Sequence, residues 1–409
     1  MTIYWSGCGG GETRDTLIDG CAGGTAAARI TADGLTVIST PVQSGVGALQ
    51  VPAGVAAKGT LLGTTVSTQI SVLQAYLNFN GNPNAIVPFF APYSLTRTGA
   101  YIAEANATTR TTRICALGTD GDYATRTPLT PWSEAVIPSG SYGTGPVVFI
   151  IDPLTLGTNN VWLRLFIDGV EVFSFDAGVW PSGLGIADPT AYTVGTYGVA
   201  PNVALRIDDA VGLFSTSAAD APHLAAWPIA KVDAQHPISD TATHEWGVSG
   251  SFVGTYYDFW DDATGNDGDT TYLYSAQSTK TQTSNMESLA TLGWNASATV
   301  FESATKIGPI LSIVHRTIAG TKFEGFAVTN LSSDVNVSDP GSTYVGNLYR
   351  LTHADTWARA DAGTITSGLK TGTNDTEWRV TLMMLQWVIC DNEFLPLVGA
   401  PMIPQGGIV

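Results

Sequence analysis

The chain has 409 residues, 44% of them apolar and only 13% charged, with 18 Lys and Arg against 35 Asp and Glu and a net charge of −17. At roughly 100–200 residues per domain this length suggests two or three domains, each large enough to fold on its own core without a metal or disulfide staple. A nucleic-acid groove needs clustered cations, which six lysines do not supply, and no apolar run approaches the roughly 20 residues of a membrane-spanning helix, so both partners are excluded.

The opening MTIYWSGCGGG has neither a basic nor an apolar leader segment, so a standard signal peptide is not expected. Cys8 and Cys21 flank a glycine-rich stretch and pair if the compartment is oxidising; otherwise they are ordinary buried thiols. No Cys-x-x-Cys spacing occurs, which removes zinc-ribbon and thioredoxin readings. Residues 69–79 fit a helical stripe through Ile70, Leu73 and Leu77. They also fit a strand through Leu73, Ala75, Leu77 and Phe79, and the β context favours the strand.

Residues 146–152, PVVFIID, read as a short apolar strand. The next segment, VWLRLFIDGVEVFSF, places Asp168-Gly169 between two apolar arms. Both residues tolerate the positive φ of a type I′ turn, so a hairpin is expected. Residues 215–240, rich in Ala, Pro and Asp, read as a connection that packs on a domain through Trp227. Beyond it, TYYDFW (255–260) and TTYLYSA (270–276) are expected as aromatic strands around an acidic loop. Residues 308–316 and 321–330 form an expected second hairpin over Ala319-Gly320, and EWRVTLMMLQWVI (377–389) a central strand. Short strands with turn signals every 8–12 residues or so predict an all-β chain of two β-sandwiches.

Catalytic signatures are missing: no Gly-x-Ser-x-Gly, no His-Glu-x-x-His, no phosphate loop, and no Glu-x-Asp-x-x-Glu strand of the sandwich glucanases. The five histidines are scattered, so no catalytic residue and no enzyme activity is expected. The sharpest electrostatic feature is the run Asp258, Asp261, Asp262, Asn266, Asp267, Asp269. Calcium relieves such repulsion, but the spacing fails the EF-hand template. A solvated loop guarding a sheet edge is the better reading, and no cofactor is required. Tyr256, Tyr257, Trp260, Tyr272 and Tyr274 crowd around that loop as candidates for a core, a subunit interface or glycan stacking.

The order of apolar strand, LRLFIDGVEVFSF hairpin, YTVGTYG and VALRIDDAVGLF resembles the closing half of a laminin-G/concanavalin A-like jelly roll. Its marks here are Asp168-Gly169 and Ile207-Asp208-Asp209, with GLTVIST and GALQVPAG as early strands. The resemblance implies a jelly roll over 1–216, a packed linker over 217–240 and a second β-sandwich over 241–409. The later motifs HEWGVSG, TTYLYSA, IGPILSIVHR and TEWRVTLMMLQWVI are similar to those of tailed-bacteriophage virion structural proteins. That resemblance implies a tail or capsid-decoration component, assembled in the bacterial cytoplasm, with its own copies and other virion proteins as partners. A carbohydrate-binding module for host surface glycans is the alternative, and a glycan-cleaving enzyme a weaker one.

Overall fold

A computed structural model describes residues 4–8, 34–38, 48–60, 69–79, 86–92, 100–106, 108–118, 122–134, 146–157, 160–179, 192–196, 198–202, 204–215, 218, 230–249, 254–260, 271–287, 305–351 and 365–390. The described chain is all-β and antiparallel. Its first half runs β1 (Tyr4–Cys8), β2 (Thr36–Ile38), β3 (Ala48–Val51), β4 (Lys58–Thr60), β5 (Ile70–Phe79), β6 (Ile86–Pro92) and β7 (Tyr101–Asn106). It continues through β8 (Thr111–Ala116), β9 (Thr127–Pro128), β10 (Val147–Asp152), β11 (Asn160–Ile167), β12 (Val170–Val179), β13 (Tyr192–Gly195) and β14 (Leu205–Ser215).

These strands make two sheets. One has the order β12-β11-β10-β5-β14-β3-β2, with β1 also on β14, and the other the order β4-β13-β6-β7-β8-β9. The two sheets share a core, entered by alternate residues such as Leu73, Ala75 and Leu77 of β5 and Phe149 and Ile151 of β10. Tyr101, Ala103 and Ala105 of β7 meet them from the second sheet. The alternation is in which side meets this core, since both faces of β5 are buried, and the ladders with β10 and β14 make residues 70–79 a strand rather than a helix. The expected Asp168-Gly169 turn joins β11 to β12, with φ of 52° and 73°. Asp208-Asp209 is a bulge in β14, where Asp209 takes φ 44°. The bulge divides the strand's free side, so that Leu205–Ile207 pair with β3 and Ala210–Phe214 with β1.

The second half runs β15 (Ala230–Gln235), β16 (Pro237–His244), β17 (Gly247–Val248), β18 (Leu273–Ser275), β19 (Thr281–Met286) and β20 (Thr305–Ile318). After these come β21 (Gly325–Thr329), β22 (Ser332–Val337), β23 (Val345–Arg350), β24 (Thr366–Thr371) and β25 (Glu377–Cys390). The sheets are β17-β18-β25-β20-β23, with β15 also on β25, and β16-β19-β24-β21-β22. Their shared core holds Trp246, Phe259, Trp260, Leu311, Ile313, Leu369 and Trp378. As expected, β25 is central, pairing with β15, β18 and β20.

Three sequence expectations change. Residues 230–240, placed in the linker, are β15 and the start of β16, so the connection is shorter than its composition suggests. The 308–330 hairpin does not form. β20 pairs with β25 and β23, whereas β21 lies in the other sheet beside β22 and β24, so the chain crosses between sheets at Ala319-Gly320. Residues 255–260 are not a strand but a 3-10 turn, Tyr256–Phe259.

Candidate functional site

Hydrogen bonds to two carboxylates explain the 3-10 turn. Asp240 on β16 accepts from the amides of Tyr256 and Tyr257 at 2.9 and 2.8 Å, satisfying two donors a helix start leaves open. Asp258 Oδ2 accepts from the Thr255 amide and hydroxyl, closing a capping box. Two donors thus tie Oδ2 of this carboxylate to the turn. Asp261, Asp262, Asp267 and Asp269 lie outside the described residues. No three His, Cys, Asp or Glu among the described residues converge as metal ligands.

The turn also separates the five predicted aromatics. Trp260 is completely buried, with its indole N–H on Ser284 Oγ at 3.0 Å and its carbonyl accepting from the Met383 amide. It is a core residue with no free ring face. Tyr256 and Tyr257 are half-buried and pack against the same core, Tyr256 with its ring 5.0 Å from that of His244.

Tyr272 and Tyr274 are as half-buried as Tyr256 and Tyr257, but differ in what they pack on. On either side of Leu273, the first residue of β18, they share a face outside the core cluster that Leu273 enters and against which Tyr256 and Tyr257 pack. Their rings meet edge to face at 6.0 Å. Arg379, the cross-strand partner of Tyr274, lies over the Tyr272 ring at 4.4 Å, and its Nε donates to Glu377 at 2.6 Å. Gly247 lies close beneath Tyr274, where an added Cβ would sit 2.7 Å from the ring. The result is a preset strip of two rings and one guanidinium, which offers C–H stacking and hydroxyl recognition together. Arg379 and Gly247 were not singled out from the sequence, although Glu377-Trp378-Arg379 already shows a polar-apolar-polar alternation in an otherwise uncharged strand.

A second cluster, also unmarked in the sequence, lies on the outer face of the first half's smaller sheet. Tyr101, Ala103 and Ala105 point into the core, so Ile102 and Glu104 point out. Glu104 is fully buried there. Arg113, its cross-strand partner, donates Nε to Oε1 at 2.6 Å, while Arg126 Nε and the Tyr123 hydroxyl reach Oε2 at 2.5 and 2.6 Å. Burial pushes the Glu104 carboxyl up, but the hydrogen bonds from Tyr123, Arg126 and Arg113 outweigh it and hold the group below its ordinary range. Glu104 is therefore an ionised anchor rather than a proton donor. Beside it Cys115 is pushed up to about 12 by burial and the Glu104 charge, so it remains a thiol.

No protein-family model and no curated protein matches the chain. Among solved structures it is similar to a botulinum neurotoxin type C that relies on two ganglioside molecules to get into cells. The TM-score is 0.32 and the identity 8%, over 91% of this chain and 90% of that one. Alginate lyase Aly36B gives a TM-score of 0.32 at 13% identity, over 51% of this chain and 96% of that one. The carbohydrate-binding module CBM66 from Bacillus subtilis gives 0.24 at 8%, over 45% and 94%. Likenesses this distant assign nothing to the chain, whose own residues have to carry the reading.

Proposed function

We propose that the protein is a non-enzymatic carbohydrate-binding β-sandwich protein that recognises glycans through the Tyr272, Tyr274 and Arg379 strip. The observation that carries this reading is the half-exposed tyrosine pair on an outer sheet face, held in one geometry by Arg379 and Gly247. Tyrosines fixed in place lose little entropy when a sugar ring stacks on them, and the guanidinium supplies directional donors to hydroxyls.

A glycan array probed with the full chain tests the proposal, followed by titration of the best ligand against Tyr272→Ala and Tyr274→Ala. Each substitution is expected to weaken binding about tenfold, the equivalent of ~1.4 kcal/mol, while the melting temperature stays near that of the parent. An array without ligands, or binding indifferent to both substitutions, would overturn it. The virion setting is a further part of the proposal, supported by the sequence resemblance and by a surface with few charges to oppose close packing. Particle imaging tests it: the chain should occupy ordered density at a fixed copy number.

A further inference from the structure

The cluster around Glu104 holds two cations against one anion. Arg113 and Arg126 each spend Nε on the same carboxylate, from opposite oxygens, which leaves the group one positive charge in excess. This excess sits where the arginine side chains keep only 16% and 14% of their exposure, in a chain whose net charge is −17. Both guanidiniums are immobilised: Arg113 lies 4.3 Å over Trp132 and Arg126 4.0 Å over Tyr123. Arg126 Nη1 donates to the Tyr123 carbonyl at 2.9 Å, but the Nη groups of Arg113 meet no acceptor among the described residues. The nearby acid Asp122 is turned to the Ala124 amide at 2.9 Å and caps the turn that carries Tyr123. Glu104 fixes both guanidiniums in advance without neutralising them, leaving the Arg113 Nη pair as a fork and Arg126 Nη2 beside it. Guanidiniums whose rotamers are already set lose little freedom on meeting a second oxyanion.

From this geometry we infer a separate binding point on the first sandwich, in which Arg113 and Arg126 take the singly charged oxyanion of an acidic sugar. One negative charge balances the cluster, and a planar or pyramidal oxyanion accepts paired in-plane N–H groups from a guanidinium whose face is covered by a ring. Trp132, half-buried and stacked on Arg113, borders the site and offers ring area to the sugar. The sugar part of this inference rests on the glycan reading above. The site itself is on another sandwich from the tyrosine strip, so either can fail alone.

The test uses the full chain at near-physiological salt, with four probes: a uronic-acid disaccharide, a sulfated disaccharide, their neutral parent and inorganic phosphate. Calorimetry measures affinity while the Nε–Hε resonances of Arg113 and Arg126 are followed by NMR. An acidic disaccharide is expected to bind about tenfold or more tightly than the neutral parent and to move both resonances, a margin usual for one charge-assisted pair. Whether the uronate or the sulfate ester does so identifies the oxyanion. Arg113→Gln should remove that preference, and Tyr272→Ala should leave it intact. Because Arg113→Gln strips a partner from a buried carboxylate, Trp132→Ala serves as the second variant. It keeps the ion pairs and is expected to weaken acidic-sugar binding. Equal affinity for acidic and neutral disaccharides, phosphate binding as tightly as the acidic sugars, or unmoved arginine resonances would overturn the inference. Loss of neutral-glycan binding in Tyr272→Ala alone speaks only to the tyrosine strip.

Discussion

Trp260 and Tyr272 look interchangeable as letters, yet the structure gives them opposite work. Trp260→Ala empties a fully packed position and breaks the bond to Ser284, and is expected to cost about 3–5 kcal/mol, read as a large fall in melting temperature. Tyr272→Ala removes a half-exposed ring and should leave the melt nearly unchanged while glycan binding falls. The aromatics around the acidic segment were legible as a group, but not their sorting, because Asp240, sixteen residues upstream, bends the backbone that decides which ring turns inward. Glu104 was illegible for a similar reason: its three strong partners come from β8 and from the turn after it. Its depressed pKa has a consequence in solution. The stabilisation is complete above the ordinary value of 4.5 and is lost as pH falls through the lower folded value, so acid should destabilise the protein below about pH 4 to 5. In Glu104→Gln that acid-dependent part of the melting curve should shrink, along with a lower melting temperature at neutral pH from two guanidiniums left facing an amide.

Elements were read correctly where the determinants were local. Asp168-Gly169 succeeds because the turn residues and both arms are contiguous and the required positive φ is written in the dipeptide. Ala319-Gly320 also takes positive φ, 49° and 114°, which explains the expected hairpin. Its direction is set instead by Asp375, whose carboxylate accepts from the Thr321 and Lys322 amides at 2.9 and 2.7 Å and pulls the chain into the opposite sheet. Those hydrogen bonds hold the Asp375 carboxyl below its usual range, but no window of local sequence reveals them. Gly320→Ala should be costly, since a Cβ would lie 2.8 Å from both the Asp375 carbonyl and Thr376 Cα at a φ that side chains avoid. Asp240→Ala removes two hydrogen bonds from the 3-10 turn and should cost about 1–2 kcal/mol, in line with the loss of a helix cap. The sharper readout is the assigned indole N–H resonance of Trp260, which the turn positions against Ser284.

At the scale of the whole chain, no sheet takes strands from both halves among the described residues, and no described core cluster mixes them. Phe149 lies at the centre of one core, between the β10 neighbours β5 and β11, and Trp260 at the centre of the other. Cooperativity follows shared buried surface, so two separate cores predict two unfolding units. Calorimetry of the full chain should then resolve two transitions. Phe149→Ala should lower one of them, Trp260→Ala the other, with little cross-talk. The acidic-sugar inference and the tyrosine strip add a finer expectation, because a ligand stabilises only the unit that binds it. A uronate or sulfated disaccharide held by Arg113 and Arg126 should raise the transition that Phe149→Ala lowers, and a neutral glycan on Tyr272 and Tyr274 the one that Trp260→Ala lowers. One transition, moved equally by both substitutions and both ligands, would mean that the halves unfold as a single body.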